Sequence, residues 1–409
     1  MWLIAHRMRL HNNTIKGVHS ALKAIFEEGQ YADKVIARTL KSNPKWGARD
    51  RAFIAETTYE MVRWWRLINY LSKSNDYWHL FGTYWLMNGH ELPPWEEFKG
   101  LNPDRLKEKY QGLEDPATIE SFPDWLYSLG DKELGEKWMD EVHSLNQEAE
   151  VVLRVNTLKI NRERLKNRLK EDGIITQTIK GYPDALILEE RQNVFKNSAF
   201  KEGLFEVQDG SSQLVAEALA VEPGMRVIDA CAGAGGKALH IAARMENKGK
   251  ILAMDLEEWK LQQTKLRARR SGVSIIERKL IEGSKTIKRL KESADRLLLD
   301  VPCSGLGVLR RNPDTKWKLS EDSIKKVRET QAEILQSYPS MLKSGGQMVY
   351  ATCSILPSEN QEQIQKFLTS DAGKDFELIE EQRILSQESG FDGFYIARLR
   401  KSKRFWSGS

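Results

Sequence analysis

The chain reads as an α/β protein, a doubly wound C-terminal domain preceded by a small α/β module and a helical N-terminal domain. Three observations lead there. From Leu204 onward, short apolar runs alternate with helical stretches, the rhythm of a mainly parallel sheet with helices on its faces. Between Val151 and Leu188, two short apolar runs flank one charged helical stretch. Before them, apolar residues recur at helical spacing. At 409 residues the chain is too long for one ordinary core, and domains are expected over residues 1–120, 121–200 and 201–409.

The start, Met1 to Met8, is too short and too weakly apolar for a signal peptide, and no later run is long enough to span a bilayer. Val18, Leu22 and Ile25 repeat at i, i+4, i+7, and Val35, Ile36 and Leu40 continue a similar stripe. Ala48 to Phe53 leads into a further helix ending near Arg63-Trp64-Trp65-Arg66. Trp and Arg stack on bases when exposed, but tryptophans at this density more often pack in a core. From Asn75 to about Pro123, Pro, Gly and polar residues leave the elements unassigned.

The small module opens with a strand at Val151–Asn156, followed by a charged helix from Arg162 to Glu171 and a strand at Ala185–Leu188. Strands of the last domain are expected at Arg226–Ala230, Lys250–Met254, Val273–Ile276, Arg296–Leu299 and Gln347–Tyr350.

The net charge of +5 is mild for this length, so local charge matters more. From Lys260 to Lys291 eleven Lys and Arg residues face only Glu277 and Glu282. Solvated helix faces explain most such runs; beside a catalytic cleft, a basic surface also suits a nucleic-acid backbone. The three cysteines, Cys231, Cys303 and Cys353, have no disulfide or zinc spacing, which fits a reducing cytosol. Seven scattered histidines offer no His-x-x-x-His pair. A cytoplasmic protein without membrane or metal is expected, as a monomer.

The first strand of the last domain runs through Asp229 into Ala230-Cys231-Ala232-Gly233-Ala234-Gly235-Gly236-Lys237 and then a helix. Glycines at such a turn let the backbone approach a ligand closely. Asp255, ending the second strand, is placed to bind ribose hydroxyls. The glycine spacing is neither Gly-x-Gly-x-x-Gly nor that of a P-loop, and Asp229 would repel a pyrophosphate but hold an ammonium. S-adenosylmethionine carries an ammonium and no phosphate, so it fits better than NAD or ATP.

Two cysteines follow apolar runs. Leu297-Leu298-Leu299 leads into Asp300-Val301-Pro302-Cys303-Ser304-Gly305, and Gln347 to Tyr350 leads into Ala351-Thr352-Cys353-Ser354. A lone free cysteine is usually a small core hydrophobe. Here Pro, Ser and Gly mark loops at strand carboxyl ends, where open α/β sheets carry their sites. Beside a methyl donor, two thiols point to pyrimidine chemistry. A thiolate adding to carbon 6 makes carbon 5 an enamine that attacks the methyl group. A carboxyl facing nitrogen 3 and the exocyclic amine favours that addition, and Asp300 is placed for it. One thiol suffices for addition, and the second can assist release.

At these residues the chain resembles the Nop/Sun family of RNA (cytosine-5)-methyltransferases. Phe205 to Gln213 resembles the family's entry to its S-adenosylmethionine-dependent catalytic domain, and Asp229 to Lys237 its cofactor loop. Asp300 to Gly305, followed by Arg310-Arg311-Asn312-Pro313-Asp314 and Lys316-Trp317, is similar to its most distinctive motif. Thr352-Cys353-Ser354 resembles its second cysteine motif, and Gly393 to Leu399 its closing strand. The resemblance implies that Cys353 is the nucleophile, that Cys303 assists release, and that Cys231 to Lys237, Asp255 and Asp300 line the cofactor. Arg154-Val155-Asn156-Thr157 resembles the start of the family's small RNA-binding module, and Phe122 to Leu126 the lead into it. The helical start, with Arg49 to Phe53, resembles the NusB-type domain of bacterial enzymes acting on small-subunit ribosomal RNA, so the expected substrate is 16S rRNA. Transfer RNA is the alternative substrate, and a non-catalytic RNA-binding protein the alternative class. Two departures stand out: Ala234 replaces a frequent Pro, and only Glu282 could supply the usual acidic residue after the third strand.

Overall fold

The computed structural model describes residues 10–403; Met1 to Met8, read above as no signal peptide, lies outside them. The chain divides into two compact units, residues 1–147 with Leu309–Glu321, and Glu148–Val308 with the remainder.

The first unit is helical. Its helices include Asn12–Phe26, Ala32–Ser42, Ala48–Arg63 and Trp65–Ser72. Val18, Leu22, Ile25, Val35 and Ile36 are all buried, so the apolar stripes face a core, as their spacing requires. Trp65 stacks on Phe26 at 3.9 Å between centroids, Trp64 packs against the core, and Arg63 is buried. None of these is presented for base stacking. The unassigned stretch holds helices Tyr77–Met87, Pro103–Gln111 and Pro116–Ile119, capped by Asp76, Asn102 and Asp115.

Leu309–Glu321, which carries the Arg310 to Trp317 part of the most distinctive motif, belongs to this helical unit. Arg63 donates to the carbonyls of Leu309 and Arg310 at 3.4 and 3.0 Å. Asp314 accepts from the Ala32 N–H at 2.9 Å, and the Trp317 indole donates to the Val62 carbonyl at 2.7 Å. Lys316 is buried, with Nζ 3.1 Å from Asn146 Oδ1 and 4.3 Å from the Phe122 ring centroid; burial drives its pKa well below the usual lysine range.

The second unit holds two sheets. β1 (Val152–Val155), β2 (Thr176–Thr178), β3 (Ala185–Leu188) and β4 (Phe205–Val207) form an antiparallel sheet in the order β2-β3-β1-β4. The helix Arg162–Glu171 turns Leu165 and Leu169 inward. The small sheet thus draws its last strand from residues beyond 200, where the sequence reading closes that module.

The larger sheet contains β5 (Arg226–Asp229), β6 (Lys250–Asp255), β7 (Ile276–Leu280), β8 (Ala294–Asp300), β9 (Leu342–Thr352), β10 (Phe376–Ile384) and β11 (Phe394–Lys401). Their order is β10-β11-β9-β8-β5-β6-β7, with β5 to β9 parallel and β11 antiparallel to both its neighbours, β9 and β10. Leu297 to Leu299 and Met348 to Tyr350 are fully buried, as central parallel strands require. From β5 the chain winds outward through β6 and β7, then returns to β8 on the other side. The gap between β5 and β8 is therefore the topological switch point, where such sheets bind ligands at their carboxyl ends.

The third strand is a correction. Val273–Ile276 was expected, but β7 starts where that run ends. Gly272 takes a left-handed φ of +74° and the Val273 N–H bonds back to the Ala268 carbonyl, so these two residues close the preceding helix, while the Ser274 N–H goes to Asn247 Oδ1 and the Ile275 carbonyl accepts from Ile251 of β6.

Candidate active site

Four strands bring the site together. Asp229 ends β5, Asp255 ends β6, Asp300 ends β8, and Cys353 follows β9. Asp300 pairs with Ala351 across the sheet, so the two cysteine loops leave adjacent strands almost level. Their sulfurs lie 3.2 Å apart, both half-buried. Gly307 fixes this approach. Its N–H donates to the Cys353 carbonyl at 2.9 Å, its carbonyl accepts from Gly393 at 2.8 Å, and an added Cβ would sit 2.0 Å from the Gly393 oxygen.

The two thiols are not equivalent. The Cys353 hydrogen bond, then burial, and the Cys353 and Glu359 charges hold Cys303 well above the usual thiol range. Lys237 Nζ donates to Asp300 Oδ2 at 2.7 Å. Burial opposes the Lys237 charge, but Asp300 outweighs it and, with help from Cys353, raises its pKa. An ammonium thus stands near Cys353 while Cys303 stays a thiol. Asp300, expected to face the ring as a carboxyl, is half of an ion pair. Cys231 is a different case: burial and then Asp229, Asp300 and Asp255 push its thiol far up, and it packs against the core as an inert residue.

The glycine turn has the features a ligand needs. Gly235 has φ +81°, and a Cβ there would meet Thr264 at 2.6 Å, so both backbone and space demand glycine. Asp255 Oδ2 accepts from the Gly233 N–H and Oδ1 from the Glu257 N–H, each at 2.9 Å, which orients the carboxylate at the loop. Asp229 is fully buried, and neither oxygen makes a full hydrogen bond, although the Cys231 N–H favours its charge slightly. Burial, with Asp300 adding to it and Lys237 opposing, pushes its pKa up to about 7. An orphaned buried carboxylate wants a cation, and the ammonium of S-adenosylmethionine is one.

Other expectations fare differently. Glu282 is exposed after β7, and its N–H lies 3.4 Å from Thr286 Oγ1. The basic run is partly consumed within its own unit: Arg267 and Arg270 both bind Glu206, and Arg278 donates to the Leu261 carbonyl and Gln262. Lys265, Arg269, Lys279, Lys285, Lys288, Arg289 and Lys291 remain exposed.

Sequence reasoning missed Glu359. Its carboxylate is fully buried and accepts from Ser304 N at 2.8 Å, Ser354 Oγ at 2.6 Å and Gln331 Nε2 at 3.0 Å. Sequence reasoning also missed the grouping of Asp184, Glu217 and His240. His240 Nε2 lies 3.1 Å from Asp184, and burial lowers its pKa to about 4. Arg244, 2.9 Å from Glu217, supplies the cation of this group itself.

Comparison with known proteins adds relatives. The family model described as 16S rRNA methyltransferase RsmB/F matches residues 216–400, and that of an RsmF/B-like ferredoxin-like domain matches residues 122–195. The chain is 32% identical to the probable ribosomal RNA small subunit methyltransferase B of Synechocystis sp., over 93% of this chain and 98% of that protein. It is 36% identical to ribosomal RNA small subunit methyltransferase B of Vibrio cholerae, over 71% of this chain and 69% of that one. A crystal structure of a methyltransferase homologue from Pyrococcus horikoshii superposes with a TM-score of 0.62 and 29% identity, over 70% of this chain and 98% of its own. No described helix is long and apolar enough to cross a membrane.

Proposed function

The chain belongs to the RsmB/F family of 16S rRNA methyltransferases, and from that premise we propose that it methylates carbon 5 of a cytosine in small-subunit ribosomal RNA through a cysteine adduct at carbon 6. The cofactor is S-adenosyl-L-methionine. The observation that carries the reading is the pair of sulfurs 3.2 Å apart at the switch point, beside the Lys237–Asp300 pair.

Cys353 is the nucleophile. Its thiolate adds to carbon 6, and the ring electrons move to carbon 5. Asp300, as a carboxylate, accepts from the exocyclic amine and holds the ring in place. Cys231 to Lys237, with Asp229 towards its ammonium and Asp255 towards its ribose, would hold S-adenosyl-L-methionine, which would supply the electrophilic methyl group. The carbon-5 proton then leaves to a base, the double bond re-forms, and the Cys353 sulfur departs. Cys303 lends its S–H to that departing sulfur. The exposed basic residues from Lys265 to Lys291 suit an RNA backbone.

The test is transfer of labelled methyl groups to 16S rRNA, with bisulfite sequencing to locate the product. Label at a cytosine carbon 5 is expected. Label on another base or atom would overturn the chemistry, and label on transfer RNA alone would overturn the substrate.

Asp229 gives the site a pH dependence. Its pKa of about 7 in the free protein means that, below that pH, a proton must leave before the ammonium can pair. Cofactor affinity should therefore rise with pH by up to about tenfold per unit below about pH 7 and stop rising above it. Asp229→Asn should weaken binding and flatten the profile. Calorimetry across that range checks it, and a flat wild-type profile would remove Asp229 from the ammonium site.

A further inference from the structure

Three donors converge on Glu359, and two of them belong to the residues directly after the cysteines. Oε2 accepts from the Ser304 N–H at 2.8 Å and Oε1 from the Ser354 hydroxyl at 2.6 Å. The two serine hydroxyls also lie 3.1 Å apart, so the loops are joined twice. Gln331, itself buried, shares Oε2 at 3.0 Å and ties the Pro302 carbonyl to the same point at 2.9 Å. The Glu359 carbonyl in turn accepts from the Tyr350 hydroxyl of β9 at 2.7 Å.

A buried carboxylate without a cationic partner is costly. Hydrogen bonds from neutral donors offset part of that cost and leave its negative charge uncancelled beside the thiols. Among the described residues, the groups that act on the thiol pair come from three places. Cys353 and Tyr350 come from β9 and its end, Glu359 from the turn Pro357–Glu359, and Lys237 from the helix Gly236–Arg244.

We propose that Glu359 is a positioning residue: through Ser304 and Ser354 it clamps the two cysteine loops against each other, and it sets a buried negative charge beside Cys303. The proposal rests on the reading of Cys353 as nucleophile. It gives one buried carboxylate both the geometry of the thiol pair and a charge beside it.

Two variants separate the parts. Glu359→Gln keeps length and removes charge; its amide oxygen still accepts from Ser304 and Gln331, and its amide nitrogen donates to the Ser354 hydroxyl, which can accept as well as donate. Glu359→Asp keeps the charge but shortens the reach to both loops. The readout is the pH profile of alkylation at each cysteine, resolved by peptide mass spectrometry on the free full-length protein. In Glu359→Gln, alkylation of Cys303 below about pH 8 should speed up by about threefold or more, since the thiolate is the reactive form. Glu359→Asp should keep the wild-type profile of Cys303 while methyl transfer slows. A purely structural role would lower thermal stability in both variants and leave both profiles alone, and an unchanged Cys303 profile in folded Glu359→Gln overturns the proposal. Because the readout needs neither RNA nor cofactor, that failure is distinct from failure of the nucleophile assignment, which shows as methyl transfer surviving in Cys353→Ala.

Discussion

Cys353→Ala should abolish methyl transfer while leaving S-adenosyl-L-methionine affinity unchanged. Carbon 5 of cytosine is a poor nucleophile until a thiolate adds to carbon 6, and no other described thiol is equipped to replace Cys353. Cys303 lies 3.2 Å away but is held as a thiol, and Cys231 is pushed far from ionisation by burial and three carboxylates. A loss of about 10⁴-fold or more is expected, in the range seen when an enzyme nucleophile is removed. The cofactor should not notice. Its loop is shaped by Gly233, Gly235 and the Asp255 bond to Gly233 N–H, and the Lys237–Asp300 pair does not depend on the cysteine. Label transfer to 16S rRNA and calorimetry, run on the same preparation, check both halves. An alanine variant that methylates at the wild-type rate would reverse the assignment.

The parts of this site that local chemistry dictates were legible in the sequence. A Pro before Cys303 and Ser-Gly after it announce a loop at a strand end, and the glycines from Gly233 to Gly236 announce a close backbone approach. The central strands were legible because parallel strands buried on both faces are written as plain apolar runs. β10 was not. It is an edge strand of Phe-Glu-Leu-Ile-Glu-Glu-Gln-Arg-Ile, mostly exposed, and charge is how edges avoid pairing with other chains. The same charge hides it from any apolar pattern.

What the sequence could not reveal are partners far along the chain. Glu206 takes Arg267 and Arg270 out of a run that reads as free basic surface, across more than 60 positions. Pro357-Ser358-Glu359-Asn360 reads as a polar, solvated turn, yet the Glu359 carboxylate is sealed under both cysteine loops. Leu309–Glu321 reads as a catalytic-domain loop but folds with the helical unit, where Arg63, Ala32 and Val62 hold its backbone and side chains. Deleting the chain before Glu120 would strip away those partners. Point substitutions at Lys285, Lys288 and Arg289 are therefore a cleaner probe of phosphate contacts than any truncation.

Cys303→Ala should have the opposite phenotype to Cys353→Ala: addition proceeds, release stalls, and a covalent protein–RNA adduct accumulates. The reason lies in the proton that the two sulfurs share. Cys353 enters the reaction as a thiolate and must leave carbon 6 as one, and a sulfur leaves more readily when a donor meets its developing charge. The Cys303 thiol is placed to be that donor, 3.2 Å from Cys353, and its hydrogen bond to Cys353, its burial and Glu359 keep the proton on it. Alanine removes the donor but leaves Lys237, which suffices to keep Cys353 reactive. Turnover should fall by about 10²-fold or more, the scale of a lost proton-transfer partner. Meanwhile a species resistant to denaturant should appear on gels when RNA and S-adenosyl-L-methionine are both present, and it should vanish in the Cys303→Ala, Cys353→Ala double variant. If the adduct forms instead in Cys353→Ala and never in Cys303→Ala, the two roles are exchanged, and the Lys237 ammonium serves the departing sulfur rather than the attacking one.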